Sequence, residues 1–471
     1  MIFTIFHNNM RKYRKVVIIF MWMLIWQLAA SLLNRPLLLP GPIETIKVLA
    51  ENIRTVSFYR TIGSSLFSIA FGFFTGFLAA VLLAVVSHKF SLVKDFLSPL
   101  ITLMKAIPVA SFVVILLIWW GAASLSKAVS FLIVMPQIYI STLEGLYHTD
   151  QKILEMAEIF RFSSKMKYWY IYRKSLGPFI ESGIKIGAGM SFKSGVAAEL
   201  IGSPAYSIGE RLYMSKIHLN TESLFAWTLV IILISAAFEK IVFALWNWFV
   251  NKEPQKVVTV KRKDSHKIKA GEIVFALKNV SKKFDEKVVL NQENMEFRMG
   301  ETYFLTNPSG AGKTTILRLL AGLESADFGE VMQKGNVSMV FQEDRLLDEY
   351  SGITNITMVS PTANRTSDFM ELLEEDVIKK PCGKQSGGQK RRTAILRAMN
   401  ASSDAVLLDE PFTGLDDLSR KKAIEYIKRE QRERCLIIAT HNKEDIKLFA
   451  EAEAKAEAEK EGKAEWKKEL P

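Results

Sequence analysis

Thr302-Tyr-Phe-Leu-Thr-Asn307-Pro-Ser-Gly310-Ala-Gly-Lys313-Thr-Thr315 is the stretch that decides the fold of the second half of the chain. It joins an apolar strand, a loop of small residues and a helical run that starts at Ile316. Consecutive backbone N–H groups of such a loop converge on an anion together with the positive end of the helix dipole. The stretch therefore predicts a loop that holds nucleotide phosphates, with Lys313 reaching the outer ones.

The loop departs from the pattern G-x-x-x-x-G-K-[ST] at its first position, where Asn307 replaces glycine. Asparagine is the non-glycine residue that best tolerates a left-handed backbone, so we expect the turn to form. The predicted phosphate-binding residues are Asn307, Pro308, Ser309, Gly310, Ala311, Gly312, Lys313, Thr314 and Thr315.

A second motif follows at Ala405-Val-Leu-Leu-Asp409-Glu410, an apolar strand that ends in two carboxylates. We expect Asp409 to hold a magnesium ion together with Thr314, and Glu410 to orient or deprotonate an attacking water. An ordinary strand end is the alternative, and the upstream phosphate loop disfavours it. Alternating strands and helices after the polar linker predict an α/β domain with a parallel sheet.

The first half of the chain is dominated by apolar runs and predicts a polytopic helical membrane domain. Six runs are long enough for spans that need about 20 residues each: Val16–Leu33, Ile62–Ser87, Leu97–Trp120, Ala128–Tyr147, Phe179–Ile201 and Leu224–Phe249. The first run follows basic residues as in a signal peptide, but it is long and no A-x-A site follows. The net charge of +12 fits cytoplasmic headgroups better than nucleic acid. The two cysteines lack C-x-x-C spacing, which fits a reducing cytoplasm.

The loop at 148–178 is basic, and the positive-inside rule therefore places it and both termini in the cytoplasm. Its residues Glu155-Met-Ala157-Glu-Ile-Phe-Arg161 resemble the "EAA" loop of binding-protein-dependent importers. In that family the loop forms a short coupling helix in a groove of the ATPase. Arg161 stands where this loop usually has glycine, and Lys174 where it usually has proline. The alternative is a solvated basic hairpin.

Further motifs carry the resemblance over nearly all of residues 10–250, to permeases of the nitrate, sulfonate, taurine and pyrimidine-precursor group. They are Leu39-Pro-Gly-Pro42, Lys105-Ala-Ile-Pro108, Trp120-Gly121 and Ala197-Ala-Glu-Leu-Ile-Gly202. Such permeases have the type I importer fold. Lys105 and Glu199 are charged groups within predicted spans and are therefore candidates for lining a solute path, with structural pairing or snorkelling as the alternative.

The second half resembles ABC ATPases in the order of its motifs. Gln342 resembles the glutamine loop, which adds a magnesium contact, and Gln385-Ser386-Gly387-Gly388-Gln389 resembles the signature sequence, although leucine is usual at position 385. His441 matches the switch histidine, so the predicted catalytic residues are Glu410, His441 and Lys313. Phe284 resembles the aromatic residue that stacks on adenine, although a core phenylalanine is the alternative.

The predicted organisation is a permease domain at 1–251, a linker at 252–270, an ABC ATPase domain at 271–449 and an Ala/Glu/Lys-rich tail at 450–471. The resemblance implies an ATP-driven importer in the cytoplasmic membrane that uses ATP and magnesium. It also implies a second copy of the chain and an extracytoplasmic solute-binding protein. An exporter half-transporter and a nucleotide-binding regulator that does not transport are the competing classes.

Overall fold

The computed structural model describes residues 2–35, 37–252, 268–306, 308, 310–359 and 369–452, with the backbone alone for 2–13 and 15. Asn307, Ser309, most of the predicted linker and most of the predicted tail lie outside the described residues. The chain divides into two compact units. Unit 1 comprises Met1–Thr149 and Lys174–Lys252, and unit 2 comprises Asp150–Arg173 and Glu253–Pro471.

Unit 1 is a helical bundle. Two glycines of the helix at Val56–Lys89 let it approach the helix at Ala122–Tyr147 closely. A Cβ atom on Gly72 would lie 2.2 Å from the Lys127 carbonyl oxygen, and one on Gly76 would lie 3.0 Å from that of Phe131. The helices of unit 1 are α1 (Ile2–Leu33), α2 (Pro42–Ile53), α3 (Val56–Lys89), α4 (Ser91–Ala106), α5 (Val109–Trp120), α6 (Ala122–Tyr147), α9 (Arg173–Gly202, of which Arg173 belongs to unit 2), α10 (Ile208–Ile217) and α11 (Thr221–Asn251).

Six predicted spans are not confirmed. Among the described residues, four helices are long and apolar enough to cross a membrane: Val16–Leu33, α3, α6 and α11. The predicted span Leu97–Trp120 is not one straight helix, because α4 and α5 meet at a bend of 105°. This bent pair is either a broken span or a re-entrant loop. The predicted span Phe179–Ile201 lies inside α9, which is long enough but carries Glu181, Lys185, Lys193 and Glu199.

Unit 2 contains the predicted parallel sheet, in the strand order β3-β7-β6-β5. Its strands are β3 (Thr302–Leu305), β5 (Val337–Val340), β6 (Ala405–Asp409) and β7 (Cys435–Ala439). A separate antiparallel sheet was not predicted from the sequence. It consists of β1 (Ile273–Phe284), β2 (Lys287–Arg298) and β4 (Phe328–Gln333), in the order β2-β1-β4. The helices that matter for the site are α12 (Lys313–Leu320), α13 (Gly352–Thr357), α14 (Glu375–Lys379), α15 (Gly387–Asn400) and α16 (Asp417–Gln431), and residues 443–452 are also helical.

Residues 150–173 fold as part of unit 2 and not with the helices on either side of them in sequence. They form α7 (Gln151–Ile159), α8 (Ser164–Met166) and a π-helix at Lys167–Tyr172. Asp150 caps α7 by accepting a hydrogen bond from the Lys152 amide at 2.8 Å. Met156, Ala157 and Ile159 of α7 are buried in the same core as β5 and α12, and Ile153 and Leu154 are partly buried against it. The predicted permease domain at 1–251 is therefore interrupted, because this segment buries its apolar side chains in the C-terminal unit.

Candidate nucleotide site and coupling contacts

The phosphate loop lies between β3 and α12, as the sequence predicts. Gly312 is the residue before the helix and has a φ of +84°. A Cβ atom at this position would lie 2.8 Å from Leu290 Cδ2, so both the backbone conformation and the space require glycine. Lys313 is buried in the first turn of α12. In the described part of the loop, the amino end of α12 thus lies at the place predicted for phosphate.

The strand β6 runs parallel between β5 and β7, and it ends at Asp409, which Glu410 follows directly. Asp409 is almost fully buried, and this burial raises the pKa of its carboxyl group although the hydroxyl of Thr314 donates a hydrogen bond to it. Within the described residues, Asp409 Oδ2 is enclosed and has no hydrogen-bond partner. A buried oxygen in this state suits a cation. Thr314, Gln342 and Asp409 line one cavity of about 130 Å³, so the three predicted magnesium ligands lie together.

Glu410 and His441 are brought together by strand register. Asp409 pairs with Ala439 where β6 and β7 lie side by side, and both strands end at the same edge of the sheet. His441 Nδ1 lies 2.9 Å from Glu410 Oε1, although 31 positions separate the two residues. Glu410 has a φ of +45°, which is an unfavourable backbone conformation for any residue other than glycine. The strained residue is the one predicted to act on water.

The signature segment begins α15 with a capping box. The Ser386 hydroxyl accepts from the Gln389 amide at 3.4 Å, and the Gln389 side chain accepts from the Ser386 amide at 2.9 Å. Gln385 is buried, and its side chain bonds the Thr393 hydroxyl at 2.9 Å and the Val377 carbonyl at 3.1 Å. These hydrogen bonds satisfy the polar atoms of the buried Gln385 amide. Ser386 and Gly387 are exposed at this helix end.

Two arginines of α15 were not predicted as site residues. Arg391 donates to the carbonyl oxygens of Phe341 at 2.7 Å and Gln342 at 2.5 Å, and Arg397 donates to that of Arg345 at 2.9 Å. Both side chains are buried. Arg391 thus ties α15 to Phe341 and Gln342, and Arg397 ties it to the segment that follows them. Nothing in local spacing indicates this role, because the partners are backbone atoms about 50 positions away.

Glu155 of α7 makes the main polar contact of the predicted coupling loop. Its two carboxylate oxygens accept from Arg318 Nη1 and Nη2, each at 3.0 Å, and Oε2 also accepts from Arg345 Nη1 at 2.6 Å. The hydrogen bonds from Arg318 are the main cause of a lowered pKa of Glu155. Arg318 belongs to α12 and Arg345 follows the glutamine loop. The Glu155 carboxylate thus joins α7 to α12 and to the segment that follows the glutamine loop.

The remaining predicted residues fall into different surroundings. Ala157 is fully buried, and Arg161 adopts a φ of +55°, which explains why glycine suits this position. Phe284 is 44% exposed at the end of β1, so adenine stacking stays a prediction.

The two candidates for the solute path also differ. Glu199 accepts from Ser65 at 2.7 Å and from the Gly209 amide at 3.3 Å, which is the structural pairing considered for it. Lys105 is exposed in the last turn of α4. A place on the solute path stays a prediction for both.

Comparisons with known proteins match both halves of the chain. The family described as binding-protein-dependent transport system inner membrane component matches residues 72–252, and the family described as ABC transporter matches residues 290–413. The aliphatic sulfonates import ATP-binding protein SsuB 1 of Paracoccus denitrificans is 32% identical over 184 residues, with 37% of this chain and 76% of that protein covered.

Two more relatives are similar in the same region. The SsuB 1 protein of Nocardia farcinica is 37% identical over 153 residues, covering 31% of this chain and 62% of that protein. The sulfate/thiosulfate import ATP-binding protein CysA of Ralstonia nicotianae is 33% identical over 202 residues, covering 37% of this chain and 54% of that protein. The chain thus spans little more than half the length of these two relatives.

The chain belongs to the ABC transporter family. It is a membrane protein that joins a permease domain of the binding-protein-dependent type to an ABC ATPase domain.

Proposed function

We propose that this chain hydrolyses ATP to import a small solute into the cytoplasm. The names of the two SsuB relatives favour a sulfonate. Taurine, nitrate and a thiamine-precursor pyrimidine are the other members of the group that the permease resembles. The single observation that carries the proposal is the contact of Glu155 with Arg318 and Arg345, because it connects the nucleotide site to the segment between two permease helices.

The chain's own side chains divide the work of hydrolysis. Lys313 and the amides of the phosphate loop bind the phosphates, Glu410 orients or deprotonates the attacking water, and His441 positions the Glu410 carboxylate. Asp409 fits a magnesium ion through its enclosed, unpaired oxygen, with Thr314 and Gln342 on the same cavity. A magnesium ion held there would neutralise charge on the phosphates.

Two copies of the chain complete the sites in this proposal. Ser386 and Gly387 are exposed at the amino end of α15, where backbone N–H groups and the helix dipole favour an anion. In the family's arrangement this end meets the γ-phosphate on the other copy. Closure around two ATP molecules would move α7 through Glu155, and release would return it, a two-state cycle biased by nucleotide.

The direction of transport and the position in the membrane complete the proposal. Residues 150–173 and the ATPase domain lie in the cytoplasm, and an extracytoplasmic binding protein delivers the solute. An exporter half-transporter would share the ATPase motifs but not the match to a binding-protein-dependent permease.

Purified chain with Glu410→Gln tests the catalytic assignment. We expect phosphate release to fall at least about a hundredfold, as for loss of a general base, while ATP binding persists. Glu433→Gln, at an exposed position away from the site, serves as the control. Equal rates for Glu410→Gln and wild type would exclude Glu410 as the base.

Transport is tested in cells that express the chain with its binding protein and receive labelled taurine or ethanesulfonate. Lys313→Ala should abolish accumulation because the outer phosphates lose their cation. Unchanged accumulation, or efflux in place of uptake, would contradict the proposal.

A further inference from the structure

One end of unit 1 contains a polar cavity of about 340 Å³ that no motif predicted. It lies where α2 ends and α3 and α11 begin, and residues of α10 also line it. The opposite end of α3 packs on α6, where the Tyr139 hydroxyl donates to Ser87 at 3.0 Å and the His88 ring lies 5.1 Å from that of Tyr147. Since α3 has 34 residues, about 50 Å separates the cavity from the end at which α6 leads into residues 150–173.

The cavity has one permanently charged lining residue, Arg211 of α10, and none of the described residues that line it is acidic. Arg211 Nη2 donates to the Ser57 hydroxyl. Its Nε is enclosed without a hydrogen-bond partner, and within the described residues Arg211 makes no ion pair. A guanidinium has five N–H donors and always carries its charge, so this one is short of acceptors.

Neutral polar groups and apolar surface complete the lining. The lining side chains are Asn52, Thr55, Ser57, Phe58, Arg211, Met214, Ser215, His218, Asn220, Ser223 and Trp227. The Phe58 and Trp227 rings lie 5.3 Å apart and form an apolar wall. Two amino ends, of α3 and α11, and two carboxyl ends, of α2 and α10, lie near the cavity. The positive and negative ends of these helix dipoles therefore oppose one another there. Arg211 therefore decides the sign of the charge that the cavity accepts.

We propose that this cavity is a binding site for a small organic anion of the alkanesulfonate class. The sulfonate oxygens would accept hydrogen bonds from Arg211 and from the neutral donors, and the alkyl group would contact Phe58 and Trp227. A volume of about 340 Å³ admits a solute of this size. The inference rests on the proposed function, because residues 150–173 are cytoplasmic in it and the opposite end of α3, where the cavity lies, then faces the outside and receives the solute.

Calorimetric titration of the purified full-length chain with methanesulfonate tests the site, with dimethyl sulfone as the uncharged probe of similar shape. We expect saturable binding of methanesulfonate and at least tenfold weaker binding of dimethyl sulfone. Arg211→Gln should weaken methanesulfonate binding at least about tenfold, the usual effect of losing a hydrogen bond to a charged group. Arg211→Lys, which keeps the charge, should lose less, and this comparison separates charge recognition from misfolding.

Arg60→Gln is the matched control. Arg60 stacks on the Tyr206 ring at 3.7 Å in the same unit but does not line the cavity, so its loss should leave the affinity unchanged. No saturable binding by the wild type, equal affinity for the two probes, or equal affinity of Arg211→Gln and wild type would overturn the proposal. Binding that depends on Arg211 without ATP-driven uptake would refute the proposed function and not the site. Sulfonate uptake that Arg211→Gln leaves unchanged would refute the site and not the function.

Discussion

Replacing Glu155 with Gln removes the charge that holds α7 against α12 and the segment after the glutamine loop. The carboxylate accepts three hydrogen bonds from two arginines, at 3.0, 3.0 and 2.6 Å. Hydrogen bonds to charged groups contribute about 1.5–3 kcal/mol each, but they are not additive. Glu155 is 28% exposed in its side chain, which weakens the contact through solvent screening. Glutamine also keeps one acceptor oxygen, so we expect a net loss of about 2–4 kcal/mol.

Hydrogen–deuterium exchange of the peptide that contains α7 measures this loss without knowledge of the solute. Amide protection reports the free energy of local opening, so 2–4 kcal/mol corresponds to exchange faster by about 30- to 900-fold. Phosphate release should persist, because Glu155 touches no predicted catalytic side chain, whereas transport should fall. Exchange at the wild-type rate in Glu155→Gln would refute the reasoning.

Glu158→Gln is the control on the same helix. The Glu158 side chain is 62% exposed and lies 3.5 Å from Lys167 Nζ, a surface ion pair of the kind that contributes at most about 1 kcal/mol. We expect its exchange rate to change less than about fivefold. An effect as large as that of Glu155→Gln would mean that any loss of charge loosens α7.

The same contact predicts a pH dependence with a definite sign. Arg318 holds the pKa of Glu155 below its ordinary value of 4.5. The docked state therefore favours the ionised carboxylate, and its contribution is fully present above about pH 4.5 and disappears as the pH falls through the lowered pKa. Protection of α7, corrected for intrinsic exchange, should stay constant from pH 8 to pH 5 and decline below pH 4. Loss of protection between pH 8 and pH 6 would contradict this assignment.

Three further predictions concern other positions. Arg161→Gly should stabilise the chain by about 1 kcal/mol, because glycine adopts a φ of +55° without strain, and a lower midpoint of thermal unfolding would contradict this. Asp409→Asn should raise the unfolding midpoint at neutral pH without nucleotide while abolishing phosphate release, since burial raises the pKa of Asp409 and disfavours its ionised form; a lower midpoint would refute this explanation. Lys193→Cys in α9 should react with a charged thiol reagent in membranes whereas Leu78→Cys in α3 should not, because an exposed lysine of the membrane domain faces water and an exposed leucine of a long apolar helix faces lipid; the two native cysteines are buried, and equal reaction at both positions would refute this.

The nucleotide site could be predicted from sequence because its motifs are local. A strand, a glycine loop and a helix start occupy consecutive positions, and the carboxylates follow directly after another strand. Parallel strands end at one edge of a sheet, which is why the residues that follow β6 and β7 come close. The 2.9 Å contact between Glu410 and His441 depends on the register of β6 and β7, which no local pattern specifies.

The membrane half was harder to predict because hydropathy ignores direction. An apolar window over Leu97–Trp120 does not detect the 105° bend at Ile107 and Pro108. In α9, Lys193 is exposed whereas Glu199 is buried against Ser65, although both count equally in a window. Mean hydropathy cannot distinguish a span that faces lipid from one that faces water or a neighbouring helix.

Residues 341–345 are where three functional elements of unit 2 meet. Gln342 lines the cavity that Asp409 also lines, Arg391 of the signature helix holds the Phe341 and Gln342 carbonyls, and Arg345 binds Glu155. Because buried hydrogen bonds to these carbonyls are costly to break, this segment cannot shift without moving α15 or α7. In the proposed function, a change at the phosphates would reach α7 through these short, directional contacts. The sequence motifs identify the residues at the two ends of this series of contacts, and the buried arginines between them keep it rigid.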